Sequence, residues 1–76
     1  MQYDDGQEIL SGDEVDLDGE LAIVETVLDT PERLEAYGMP TDSPGVLFEC
    51  QRMGAVFEPR AGISWNAIVL LRRWSL

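Results

Sequence analysis

The sequence contains no histidine and no lysine, a single cysteine, and aromatics at only 8% of its 76 residues. Without histidine it lacks the commonest general base and a common metal ligand, which argues against an enzyme and against a bound cofactor or metal. The lone Cys50 cannot close an intramolecular disulfide, and such usage is expected of a reducing cytoplasm. No apolar run approaches the roughly 18 residues of a membrane span, and Met1-Gln2-Tyr3-Asp4-Asp5 does not read as a secretory leader. Five arginines are the only basic residues. That scarcity argues against direct nucleic-acid binding, which relies on a basic patch, and an anionic membrane surface would repel the chain.

What is abundant is negative charge, and it is unevenly placed. Residues 1–32 carry eleven carboxylates and no basic residue, whereas residues 33–76 carry four carboxylates and all five arginines; the formal net charge of −10 is −11 plus +1. So one-sided a field opposes compactness, and its plainest functional counterpart is a positively charged partner. At 45% the hydrophobic content is that of a globular protein, and apolar residues interleave with the acids, which argues against disorder. Residues 1–76 are expected to make one small domain with a thin stability margin.

Turn signals recur at short intervals: Asp5-Gly6, Ser11-Gly12-Asp13, Asp18-Gly19, Gly38, Ser43-Pro44-Gly45, Gly54 and Ala61-Gly62. Glu14-Val15-Asp16-Leu17-Asp18 alternates strictly, so Val15 and Leu17 share one face and the acids the other. Asp18-Gly19 predicts a two-residue hairpin into a strand over Leu21 to Leu28, with Ile23 and Val27, or Val24 and Leu28, facing inward. Pro31 to Tyr37 predicts a short helical turn, with Thr30 as N-cap and Gly38 beyond its end. Val46 to Met53 alternates again, setting Val46, Phe48 and Cys50 against Leu47, Glu49 and Gln51. Ala55 to Glu58 and the continuous apolar run Ala67 to Arg73 complete five short strands. The predicted fold is mainly β, a small SH3-like β-barrel with one helical turn near residues 31–37; an OB-type barrel is second.

Three constellations bear on chemistry. Glu14-x-Asp16-x-Asp18-Gly19-x5-Glu25 has the spacing of an EF-hand calcium loop. The flanks are not helical, and the alternation instead predicts an acidic-faced hairpin. Cys50 falls on the inward face of its strand, where a cysteine serves as a small buried hydrophobe. Among the aromatics, Tyr3, Tyr37, Phe48, Phe57, Trp65 and Trp74 suit either the core or a methyl-lysine cage. Trp65 follows a glycine-containing turn and Trp74 comes near the end of the sequence, which makes these two the aromatic interface candidates.

Tyr3-Asp4-Asp5-Gly6-Gln7-Glu8-Ile9-x-x-Gly12-Asp13-x-Val15-x-Leu17-x-Gly19 resembles the opening of a family of small, uncharacterised bacterial proteins with a "DGQEI..GD.V.L.G" start. Gly45-Val46-Leu47-Phe48-Glu49 and the Ala67 to Arg73 strand fit the rest of its pattern more loosely, and Phe57 to Trp65 departs from it. The resemblance implies an SH3-like barrel. It also implies an immunity role, because such proteins tend to be encoded near toxin or secretion-system genes. No functional residue is carried over from it.

These observations converge on a non-catalytic acidic binding protein, an immunity or inhibitor protein that occludes a basic surface of a toxin or nucleic-acid-acting enzyme. Asp13, Glu14, Asp16, Asp18 and Glu20 are expected to supply the charge, with Trp65 or Trp74 as an anchor. The alternative is an SH3-like module that binds a peptide or a methylated lysine, or a structural accessory of a larger assembly.

Overall fold

The computed structural model describes residues 1–73, apart from the side chains of residues 63 and 64. Its elements are β1 (Glu14–Leu17), β2 (Glu20–Leu28), α1 (Pro31–Ala36), β3 (Gly45–Cys50), β4 (Gly54–Pro59), a 3-10 turn (Ile63–Ala67) and β5 (Ile68–Arg72). The strands pair antiparallel in the order β4-β3-β2-β1-β5. The chain meanders from β1 to β4, and the 3-10 turn then returns β5 to the free side of β1. This is the SH3-like order, mainly β as the sequence predicts.

Local chemistry explains the turns. Asp18 (φ 51°) and Gly19 (φ 90°) both take the left-handed conformation that a two-residue hairpin of this hand requires. The Gly19 N–H donates to Asp16 Oδ1 at 2.6 Å, which fixes the turn from within the strand. In α1, Thr30 Oγ1 accepts from the Arg33 N–H at 3.2 Å and Pro31 occupies the first turn. The helix ends in a Schellman motif. Gly38 (φ 72°) donates to the Glu35 carbonyl at 3.0 Å and Met39 to the Leu34 carbonyl at 2.8 Å.

Two irregularities bend the sheet: a register shift in β2 between Val24 and Thr26, and another in the β1–β5 pair between Glu14 and Val15. The bent sheet wraps its inner face around Val15, Leu17, Ala22, Val24, Val46, Phe48, Cys50 and Ile68, and Tyr3, Ile9 and Trp65 join the same cluster. The Trp65 ring lies 6.1 Å from Phe48 and 6.4 Å from Tyr3 in tilted contacts.

The shift in β2 alters the expected facing of that strand. Ahead of it Val24 is buried and Ile23 exposed; beyond it Val27 packs on the main cluster, so Leu28 faces the other way. Neither expected pair survives whole, because the extra residue, Glu25, changes the phase of the alternation. Leu47, expected to face outward, is also buried. Leu28, Leu34 and Leu47 lie outside the main cluster yet are at most 8% exposed. They form a second, smaller apolar layer on the outer face, where α1 packs on β2. Gly45 belongs to this layer. A Cβ there would meet the Glu58 carbonyl oxygen and, at 2.8 Å, the Phe57 ring.

Candidate functional site

The alternation of β1 turns Val15 and Leu17 inward, which leaves Glu14 and Asp16 on the outer face. Pairing decides their neighbours. Asp16 stands between Leu21 of β2 and Val69 of β5, and Glu14 between Ile23 of β2 and Arg72 of β5. Ile23 in turn faces Glu49 of β3. The outer face therefore holds one row that is apolar, acidic, apolar (Val69, Asp16, Leu21) and a second that is basic, acidic, apolar, acidic (Arg72, Glu14, Ile23, Glu49).

Its apolar members are open to solvent: Leu21 is 43%, Ile23 45%, Val69 53% and Leu71 54% exposed. Glu14 and Asp16 are half-buried between them, and Asp18, Glu25 and Glu49 are exposed. A shallow depression of about 390 Å³ runs along Leu21, Ile23, Glu49 and Gln51. A second, of about 470 Å³, shares Leu21 and Gln51 with it and continues to Asp18, Glu20 and Arg52.

Two of the five arginines and the amino terminus pair with acids of the N-terminal segment. Arg60 pairs with Asp4 at 3.1 Å, Arg73 with Asp13 at 3.1 Å, and the Met1 amino group with Glu8 at 2.7 Å. Glu14, Asp16 and Asp18 take part in none of these three pairs. These three pairs compensate the N-terminal segment. Glu20, the last acid expected on this surface, is half-buried, and its Oε1 accepts from the Arg52 N–H at 2.9 Å. It latches the β3–β4 turn to β2.

Two expected contact residues are corrected. Asp13 is 1% exposed and belongs to the interior. Its carboxylate accepts from Tyr3 OH at 2.7 Å, from the Leu10 N–H at 3.0 Å and, in two-pronged fashion, from Arg73 Nε and Nη2 at 3.1 Å each. Arg73 also donates to the Glu8 carbonyl. Burial alone would raise this carboxyl, but the hydrogen bonds from Arg73, Leu10 and Tyr3 outweigh it and hold Asp13 below the usual carboxylate range. Burial and the bond to Asp13 push the Tyr3 phenol upward. Asp13 is out of place on the expected surface because Gly12 (φ 92°) turns the chain just before β1, aiming it at the Tyr3 and Arg73 donors.

Trp65 is the second correction: it is 2% exposed and fills the core. Its Nε1–H donates to the Pro59 carbonyl at 2.8 Å, and Arg60 lies over its ring, 4.7 Å from the centroid. The protein's own cation covers this ring, and Tyr3 and Phe48 are buried beside it. These three rings are packing residues, not the walls of an open cage. Trp74, the other expected anchor, lies outside the described residues.

The EF-like stretch Glu14 to Glu25 is drawn out along two antiparallel strands, with Glu14 opposite Ile23, instead of curling round a centre. Cys50 is buried as expected; burial first, then Glu20, Glu49 and Glu58, push its thiol up and disfavour the thiolate.

The opening motif has a structural account throughout. Asp5 Oδ1 accepts from the Gln7 N–H at 3.0 Å, Gly6 and Gly12 take positive φ, and Ile9, Val15 and Leu17 enter the core. Leu21, Ile23, Val69 and Leu71 were the residues to be found. Their signal was a run apolar at successive positions, hence on both strand faces, in a chain too small to cover both. The fold and this face together define the class: an SH3-like barrel with an outer face of exposed aliphatic and acidic side chains. No family model, curated protein or solved structure matches the chain.

Proposed function

We propose that this protein is a non-catalytic acidic binding protein, an immunity or inhibitor protein that occludes a basic surface of a toxin or nucleic-acid-acting enzyme. The observation that carries the reading is the outer hairpin face, where Glu14, Asp16 and Asp18 lie beside exposed aliphatic side chains and outside the three ion pairs of the N-terminal segment. An enzyme that handles nucleic acid holds its phosphates with a basic groove. A face with fixed carboxylates competes for that groove, and complementary charge accelerates the encounter and rejects acidic partners.

The test begins with a tagged copy expressed in its native host and the partner identified by mass spectrometry. Association is then measured with purified components. Asp16→Lys combined with Asp18→Lys is expected to slow association at low salt at least about tenfold, an effect that shrinks as salt screens the field. Unchanged association, or a partner of acidic surface, overturns the proposal.

A further inference from the structure

Resting on that reading, we infer that the contact surface is the open outer face of β5, β1 and β2, and that its occupant is an amphipathic helix of the partner, lying across the strands with apolar and basic residues alternating turn by turn.

The spacing carries the argument. Neighbouring strands lie about 4.8 Å apart, so successive columns of this face repeat at that interval. The row Val69, Asp16, Leu21 is apolar, acidic, apolar. The neighbouring row, Arg72, Glu14, Ile23, Glu49, begins on a cation, so the Val69, Asp16, Leu21 row is the one that suits the helix. A helix rises about 1.5 Å per residue, so side chains three or four apart on one face repeat at about 5 Å. A helix running perpendicular to the strands thus meets the columns in phase. Apolar residues at i and i+7 settle on β5 and β2, and lysine or arginine at i+3 or i+4 reaches the β1 acids. An extended segment laid the same way repeats each face at about 6.6 Å and falls out of step.

The exposed aliphatics supply what charge alone does not. Carboxylates steer and select, whereas desolvated apolar anchors provide much of the affinity. Leu21, Ile23, Val69 and Leu71 take the anchor role that the buried Trp65 cannot. A second copy of the chain is a poor occupant, since pairing this face with itself sets its acids against acids.

Two designed helical peptides of equal net charge test the inference by NMR titration of the isotope-labelled full chain. One carries leucine at i and i+7 with lysine at i+3 and i+4; the other keeps the lysines and replaces leucine by glutamine. The first is expected to shift the amides of β1, of Leu21 to Ile23 and of β5 saturably, with Kd at least tenfold below that of the second. Ile23→Ser with Val69→Ser should remove that difference while circular dichroism stays unchanged. Equal affinity for the two peptides, or shifts spread over all acidic segments, overturns the inference. Self-association through this face without peptide overturns it as well. The natural partner separates the two proposals. If Asp18→Lys weakens that complex and Ile23→Ser with Val69→Ser does not, the docking face is wrong and the acidic-binder reading stands. If neither changes it, both fall.

Discussion

The outer face of this sheet has two halves built from the same kinds of side chain. In one, Leu28 and Leu47 are buried together with Leu34 of α1, and the Phe57 ring lies against Gly45. In the other, Leu21, Ile23, Val69 and Leu71 stand in solvent among carboxylates. Hydropathy does not separate them. The difference is that the β2–β3 connection carries a helix that packs on β2 and hydrogen-bonds through Arg33 to the Val27 carbonyl, beyond the register shift. An aliphatic side chain on a strand becomes core only where another element covers it. Each one, left about half uncovered, forgoes about 1 kcal/mol of burial, available to a partner instead.

The largest expected break in this comparison comes from substituting one residue in each half. Leu34→Ala removes the helix's buried side chain and should cost about 3 kcal/mol in urea unfolding, whereas Ile23→Ser on the open half should change stability by less than about 0.5 kcal/mol. Equal losses would mean that the open half is covered in solution.

A second contrast sets two acids of one segment against each other. Asp13 is buried and bonded; Asp18 is exposed on the turn. The Asp13 carboxyl is held below its ordinary value in the fold, so its contribution is fully present above the unfolded-state pKa of about 3.9 and is lost as pH falls through the lower folded value. Asp13→Asn should lower stability at neutral pH by about 1–3 kcal/mol and flatten the acid limb of the stability profile. An unchanged acid limb, read from melting temperatures between pH 2 and 6, would mean that other carboxylates dominate it.

The smallest expected effect is at the turn. Asp18→Lys should raise stability slightly, by at most about 0.5 kcal/mol at low salt, because it relieves repulsion on a chain of net charge −10. The gain should fade as salt is added. A loss of stability that salt leaves unaltered would show that Asp18 serves the left-handed turn more than it burdens the field.

Much of the barrel was legible because its signals are local. Alternation in Glu14 to Leu17, the Asp18-Gly19 turn, the Thr30-Pro31 start and Gly38 stop of α1, and the inward Val46, Phe48 and Cys50 each depend on residues near one another in the chain. The facing of Leu28 was not legible, since it depends on a register shift against β3. Nor was the burial of Asp13, because its donors include Tyr3, ten residues earlier, and Arg73, sixty residues later. Trp65 could be read as exposed because nothing near it in sequence announces Phe48 or Tyr3. The candidate face was half visible: the alternation located Glu14 and Asp16, but not the aliphatics beside them.

By itself the sequence determined the strands, the turns, the short helix and the excess of carboxylates, all set by local backbone preference and composition. The tertiary structure alone decided which acids remain a surface. Pairing β5 with β1 and β1 with β2 set aliphatic columns on both sides of Glu14 and Asp16, while folding the N-terminal segment onto Arg73 withdrew Asp13 from that surface. Neither outcome is encoded in any short stretch, because each depends on residues that only closure of the barrel brings together.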